Sequence, residues 1–473
     1  MFFYQKYHMI HLLQKLYYFL PLFLQNIGIT IFGIHWFRRR YTGIFKEELK
    51  KCNERSVYTQ SEWDRYQTDL LRKLLLHANR TVPYYHKLFK DAGITQDFLE
   101  NITLDQLNRI PLLSKDTFRR LGSTELLSSE PEPGGEFFSS SGSTGTPTKT
   151  LYSMAMHQRY FAVYESRIYN WARVSYKMPR GMIGGRRIIQ EGISSGPYYR
   201  YNYVEKQVYF SAYHISKETA QNYLEGMIKH KVEYMTGYAM SNYFLARFIE
   251  EAGLKAPKLR AVLTSSEKLT QEMRDTFRRV YGCETHDAYN GVEATCLISE
   301  CKHGRLHIVP DVGIVEVLNE QGQQCGPGET GEIVTTGLLN FDQPLIRYSM
   351  GDLIKLSLDQ NCSCGHKMPL VDEIVGRIED VVIGPDGREM VRFHGIFVGI
   401  PSIIEGQVIQ HELSKFEIKL VVSNILLEKD LALIEKRMNS QLGEIDIKIN
   451  IVSNIPRNAN GKFKAVISHV ERN

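Results

Sequence analysis

Between Ser216 and Gly282 the chain switches repeatedly between a helical and an extended hydrophobic pattern, and this alternation restricts the possible folds more than any other feature. Ser216 is placed to cap a helix whose Ala220, Tyr223, Leu224, Met227 and Ile228 fall on one apolar face. Residues Val232 to Met235 then read as a strand running into Gly237-Tyr238. A second helix from Ser241 stops at Gly253, and Arg260 to Thr264 is a short apolar strand. Thr270 caps a third helix carrying Met273, Phe277 and Val280, which Gly282 closes. Repeated β-α-β units of this kind wind into a mainly parallel sheet, so the fold class is α/β. Ligands of such sheets collect at the carboxyl ends of the strands. Here those ends run into Thr264-Ser265-Ser266-Glu267 and Asp287-Ala288-Tyr289-Asn290-Gly291-Val292-Glu293.

Upstream lies a hydroxyl-rich, glycine-punctuated loop, Ser139-Ser140-Ser141-Gly142-Ser143-Thr144-Gly145-Thr146-Pro147-Thr148-Lys149. Glycine permits positive φ and close approach of a ligand, while Ser and Thr hydroxyls and successive N–H groups can wrap a polyphosphate. A Walker-A loop is excluded, because Pro147 stands where its second glycine belongs and Thr148 precedes Lys149. The plain alternative is a flexible surface loop, against which Pro147 argues.

The net charge of +5 over 473 residues leaves no basic footprint for nucleic acid, so an enzyme or ligand-binding protein remains. Seven irregularly spaced cysteines suit a reducing, cytoplasmic compartment better than a disulfide framework. Near the amino end, Met9 to Leu24 is rich in Leu, Phe and Tyr and precedes Arg38-Arg39-Arg40. His11, Gln14, Lys15, Pro21, Gln25 and Asn26 interrupt the run before it reaches the roughly 18 to 20 apolar residues of a spanning helix. Residues 1–60 therefore read as an amphipathic arm, either packed on the body or resting on an anionic membrane face.

Trp63, Tyr66, Leu70, Leu74 and Leu75 mark a packing helix over Ser61 to His77. Glu293 could hold a hard cation, or be an ordinary solvated carboxylate after a turn. Asp352 follows Gly351 in a turn and could accept hydrogen bonds from a ribose diol. Gly376-Arg377-Ile378-Glu379-Asp380 is a charged turn and Gly384-Pro385-Asp386-Gly387 a tight bend. The last hundred residues form their own small unit: a strand Phe416 to Val422, a helix through Leu431 to Met438, a strand Ile445 to Val452, then a glycine loop with Lys462 at its tip.

In this order, these pieces resemble the adenylate-forming enzymes, the superfamily of acyl-CoA synthetases, adenylation domains and luciferases. Within it the chain is most similar to the phenylacetate–coenzyme A ligase-like branch and its members associated with capsular polysaccharide biosynthesis, from about Leu20 through Lys462. The resemblance implies a large ATP- and acid-binding domain (61–376) and a small, mobile α+β domain (377–473) joined at a hinge, Glu379. It implies that Ser140, Ser141, Gly142, Ser143, Thr144, Gly145, Thr146 and Lys149 cover the phosphates of ATP, and that Ser265, Ser266 and Glu267 line the adenine site. Tyr289 would stack near adenine, Glu293 would bind Mg2+, Asp352 the ribose, and Arg377 ribose and phosphate. Lys462 would be the catalytic lysine, bridging the acid and the α-phosphate in a reaction whose needs are positioning and positive potential.

The chain departs from the family pattern at Asn290, at Ser349-Met350 and most of all over Val381 to Gly399, which puts the acceptor in question. It could be CoA, a carrier-protein thiol, or an amine or hydroxyl on a sugar precursor. Cys301-Lys302-His303 and Cys362-Ser363-Cys364-Gly365-His366 raise a structural Zn2+ site of Cys301, Cys362, Cys364 and His303, with Cys296 or His366 as alternative fourth ligands.

Overall fold

The computed structural model describes residues 17–139, 148–186, 188–189, 195–212, 214–377, 382–385, 389–390, 396–397, 400, 402–423, 425–456 and 465–470. The chain forms two compact units. One comprises the residues up to Glu316 with Val334–Ser349 and Asp359–Val371; the other comprises Val317–Ile333, Met350–Leu358 and the residues from Asp372 on.

Five parallel strands form the middle of the first unit's sheet, in the order Glu284–Asn290, Ala261–Ser265, Tyr234–Tyr238, Arg180–Gly184 and Gln207–Ser211. The α/β class is as the alternation implies, and the sheet as a whole is mixed. Tyr199–Asn202 adds antiparallel at one edge. On the other side Leu297–Glu300, Leu306–Ile308 and the start of Leu370–Arg377 add antiparallel in turn.

Local chemistry sets the element ends. Thr270 Oγ1 accepts the Met273 N–H at 3.3 Å and starts the helix Gln271–Tyr281, which Gly282 ends at φ +67°. Such a cap is worth about 1 kcal/mol, and burying Met273 and Phe277 adds about 1.5–3 kcal/mol each. The helix expected from Ser216 begins instead at Ala220. Ser216 Oγ accepts the Thr219 N–H at 3.3 Å, and Thr219 Oγ1 donates to His214 O at 2.6 Å, so both hydroxyls stabilise the turn before the helix. The packing helix near Trp63 spans Gln60–Thr81 and starts in a capping box of Thr59 and Glu62.

The amino-terminal helix Leu22–Tyr41 packs on the first unit through Gln25, Ile29, Gly33, Arg39 and Tyr41. A Cβ on Gly33 would lie 2.2 Å from the Asn202 side chain, so a larger residue would lift the helix off the strand beside it. Arg39 donates to Gly134 O (2.8 Å) and Tyr152 O (2.9 Å) and pairs with Glu136 at 3.0 Å. Phe23, Ile27 and Ile31 are exposed, and no described helix is long and apolar enough to cross a membrane.

In the second unit Ile403–Glu412 and Lys415–Val422 form a tight antiparallel hairpin, flanked in parallel by Val466–Ser468 and Asp446–Ile451. The helix Glu428–Leu442 closes its core with Ile434, Met438 and Leu442 against Val408, Phe416, Ile418 and Leu420. Val382–Ile383 and Glu389–Met390 pair antiparallel.

Candidate functional site

Register places Tyr238, Ser265 and Ala288 side by side where three parallel strands end. Gly237 makes this row possible, because its φ is +126° and a Cβ there would lie 1.9 Å from Ile183 O on the neighbouring strand. Only glycine fits both limits. Ser265 and Ser266 follow at the strand end, and Ser266 adopts φ +70°, a left-handed conformation that costs a non-glycine residue about 1–3 kcal/mol. Glu267 Oε2 accepts the Met240 N–H at 2.9 Å, so this carboxylate caps the helix Ala239–Glu251 and ties two strand ends together. Tyr289 is half-buried next to Ala288 and pairs with Ile298. Thr264 Oγ1 donates to Asp287 Oδ1 at 2.9 Å, and burial pushes the Asp287 carboxyl up to about 6.

Glu293 is buried, at 8% exposure, rather than solvated. Two hydroxyls donate to its Oε1: Thr148 Oγ1 at 3.1 Å and Tyr348 OH at 3.3 Å. Thr148 is the last residue of the hydroxyl loop before Lys149, so a contact across 145 positions brings loop and carboxylate together. Their neighbours are fixed as well. Tyr152 OH donates to Val292 O at 2.7 Å, and Thr335 Oγ1 donates to Thr295 Oγ1 at 2.8 Å. Gly313 lies against the Thr295 carbonyl so closely that a Cβ would come within 2.1 Å of its oxygen. Burial and then Glu293 raise the Tyr152 hydroxyl above its ordinary value, which keeps it a neutral donor. A carboxylate flanked by hydroxyl oxygens is the donor set a hard cation such as Mg2+ takes, and Glu293, Thr148 and Tyr348 fit that role.

Lys149 is exposed on the strand Lys149–Tyr152, and Asp352 is half-buried on Tyr348–Leu356, within the second unit. Arg377 is described by its backbone at the end of Leu370–Arg377. Ser140, Ser141, Gly142, Ser143, Thr144, Gly145, Thr146, Glu379 and Lys462 lie outside the described residues. Tyr198, Tyr199 and Tyr209 are buried around the edge strands, whereas Tyr238, at the end of its strand, and Ser241, in the helix that follows, are half-buried.

A second cluster joins Cys301, Cys362, Cys364 and His307, whose ligating atoms all lie within 4.8 Å of one another. This corrects the ligand set expected from sequence: His303 is exposed in the turn after Cys301 and offers only its backbone N–H, 3.4 Å from Cys301 Sγ. His366 is engaged elsewhere, with Nδ1 3.0 Å from Ser56 O and its ring stacked on Trp171. Sequence alone does not single out Thr148, the last hydroxyl of the loop, or Tyr348, four residues before Asp352.

The chain is similar to known proteins over most of its length. Residues 382–469 match the model of the CapK C-terminal domain. Protein CapK of Staphylococcus aureus is 23% identical over 461 residues, covering 95% of this chain and 98% of the relative. The phenylacetate-coenzyme A ligase of Pseudomonas putida is 25% identical over 366 residues, 73% of this chain and 75% of the relative. Among solved structures, 2-hydroxyisobutyryl-CoA ligase in the postadenylation state shares the fold, with a TM-score of 0.69 at 16% identity over 88% of this chain and 91% of that one. Over most of its length the chain is thus similar to CapK and to phenylacetate-coenzyme A ligase, its residues 382–469 match the CapK C-terminal domain, and it shares the fold of an acyl-CoA ligase.

Proposed function

We propose that this protein is an AMP-forming carboxylate ligase, which activates a carboxylic acid with ATP as an acyl-adenylate and passes the acyl group to a thiol such as CoA. The observation that carries the reading is the hydrogen bond from Thr148 to buried Glu293, because it joins the hydroxyl loop to the acidic motif at the strand ends. In this reading the loop and Lys149 hold the phosphates, Ser265, Ser266, Glu267 and Tyr289 border the adenine, and Asp352 and Arg377 take the ribose and phosphate. Glu293 would hold Mg2+, which would supply positive charge against the phosphates. Lys462 bridges the acid and the α-phosphate, and residues 377–473 turn about Glu379 between the two half-reactions.

Isotope exchange between pyrophosphate and ATP, run against a panel of aromatic, aliphatic and amino acids, tests it. Acid-dependent exchange is expected, with Glu293→Gln slower by about 100-fold or more. Failure of every acid to support exchange by a protein that binds ATP would overturn the proposal.

A second reading concerns the acceptor alone. The CapK match reaches 461 residues, against 366 for the phenylacetate ligase, and CapK supplies the model for residues 382–469. That favours an acyl or aminoacyl transfer to a sugar precursor without CoA. Transfer to a nucleotide sugar in the absence of CoA would establish it, and strict dependence on CoA would remove it.

A further inference from the structure

We infer that Cys301, His307, Cys362 and Cys364 bind one structural zinc ion. Three thiols and an imidazole are brought together from two separate segments, the hairpin through Leu297–Glu300 and Leu306–Ile308 and the loop that precedes Leu370. A tetrahedral site with zinc–sulphur bonds of about 2.3 Å and zinc–nitrogen bonds of about 2.0–2.1 Å has sulphur–sulphur edges of about 3.8 Å and sulphur–nitrogen edges of about 3.6 Å. Cys301 Sγ stands 3.7 Å from Cys362 Sγ, and Cys364 Sγ stands 3.4 Å from His307 Nε2. The side chains are therefore already spaced as two edges of that tetrahedron. Soft sulphur donors with one imidazole select zinc over the hard cations that suit Glu293.

The surroundings fit a closed structural centre. Cys301 and His307 are buried, and the backbone N–H of His303 points at Cys301 Sγ. Three thiolates and a neutral imidazole on Zn2+ leave one net negative charge. Arg305 stands by the same loop, donating to Asp359 O at 2.9 Å. Gly304 at φ +73° and Gly365 at φ +89° make the two turns that present the cysteines. His366 then fastens the loop to Ser56 and Trp171.

The ion has a definite task. The loop it would hold, 359–369, connects the strand Tyr348–Leu356, which carries Asp352, to the strand Leu370–Arg377, which ends at Arg377. Zinc fixes that crossover to the Cys301 hairpin. Its effect on nucleotide binding rests on the proposed function, whereas zinc binding itself does not, so the test reads metal content first.

Protein produced with zinc in the medium and purified without chelator is measured by plasma mass spectrometry and by cobalt substitution. The expected result is about one zinc per chain, and a tetrahedral thiolate–cobalt spectrum when cobalt replaces it. Cys362→Ser and His307→Ala should lose the metal and His303→Ala should keep it, while stripping the wild-type protein with a chelator should lower its melting temperature. Metal-free wild-type protein with seven titratable thiols would overturn the inference, as would zinc that is retained by His307→Ala but lost by His303→Ala.

Discussion

At the scale of single residues, buried His157 and half-buried Asp287 make opposite demands on pH. His157 sits among Trp36, Phe138, Tyr152 and Phe161, and its Nδ1 accepts from Arg39 Nε at 3.3 Å. Burial, with Arg40, Arg39 and His35 nearby, lowers it from 6.5 to about 2, so the folded protein keeps it neutral. The unfolded chain binds the proton more readily, and this contribution to stability is present above 6.5 and lost as pH falls below it, by about 1.4 kcal/mol per unit. Asp287 acts in the reverse sense. Its folded value is raised from 3.8 to about 6, so its contribution is present below 3.8 and is lost as pH rises through 6. Denaturant midpoints between about pH 7.5 and about pH 5 should therefore fall more steeply for Asp287→Asn than for wild type, and less steeply for His157→Phe. Equal slopes in all three proteins would refute this assignment of the two groups.

At the scale of elements, how legible a feature was depended on how local its cause is. The cap at Thr270 and the left-handed stop at Gly282 stand beside the helix they bound, and both were readable. Ser216 was misread because its hydroxyl serves a turn closed by Thr219, and nothing in spacing alone separates a cap from a turn residue three positions earlier. The Cys-Lys-His run points to His303, and nothing in the spacing points to His307, six residues beyond Cys301. In the hairpin the Cys301 N–H bonds to Arg305 O, which leaves residue 303 at the exposed turn and returns residue 307 along the strand toward the thiols. The antiparallel half of the sheet stayed hidden because its partners lie far apart in sequence, as the pairing of His307 with Leu370 does. The row of strand ends yields a direct test. Gly237→Ala meets both a forbidden φ and the Ile183 carbonyl, and should cost about 2–4 kcal/mol in denaturant unfolding. Gly253→Ala, at φ +66° with open space around it, should cost about 1 kcal/mol. Equal losses would show that Gly237 is chosen for its φ alone and not for the close approach of two strands.

At the scale of the whole molecule, one parallel strand of the first unit ends at Asn290, three residues before Glu293, which accepts a hydrogen bond from Thr148 at the end of the hydroxyl loop. Glu293 was legible as a candidate because it is an acid placed just after a strand and a glycine turn. What the motifs could not convey is which hydroxyls reach the acid. Thr148 and Tyr348 meet at Glu293 only when the first unit is folded. The central claim, that a carboxylate attacks the α-phosphate of ATP, is tested most directly by following oxygen. An acid identified by pyrophosphate exchange is labelled with ¹⁸O in its carboxylate and turned over with ATP and the acceptor. The account predicts one labelled oxygen in the AMP released, because the bridging oxygen of the acyl-adenylate leaves with the nucleotide. Unlabelled AMP, or label recovered in inorganic phosphate alongside ADP, would contradict it.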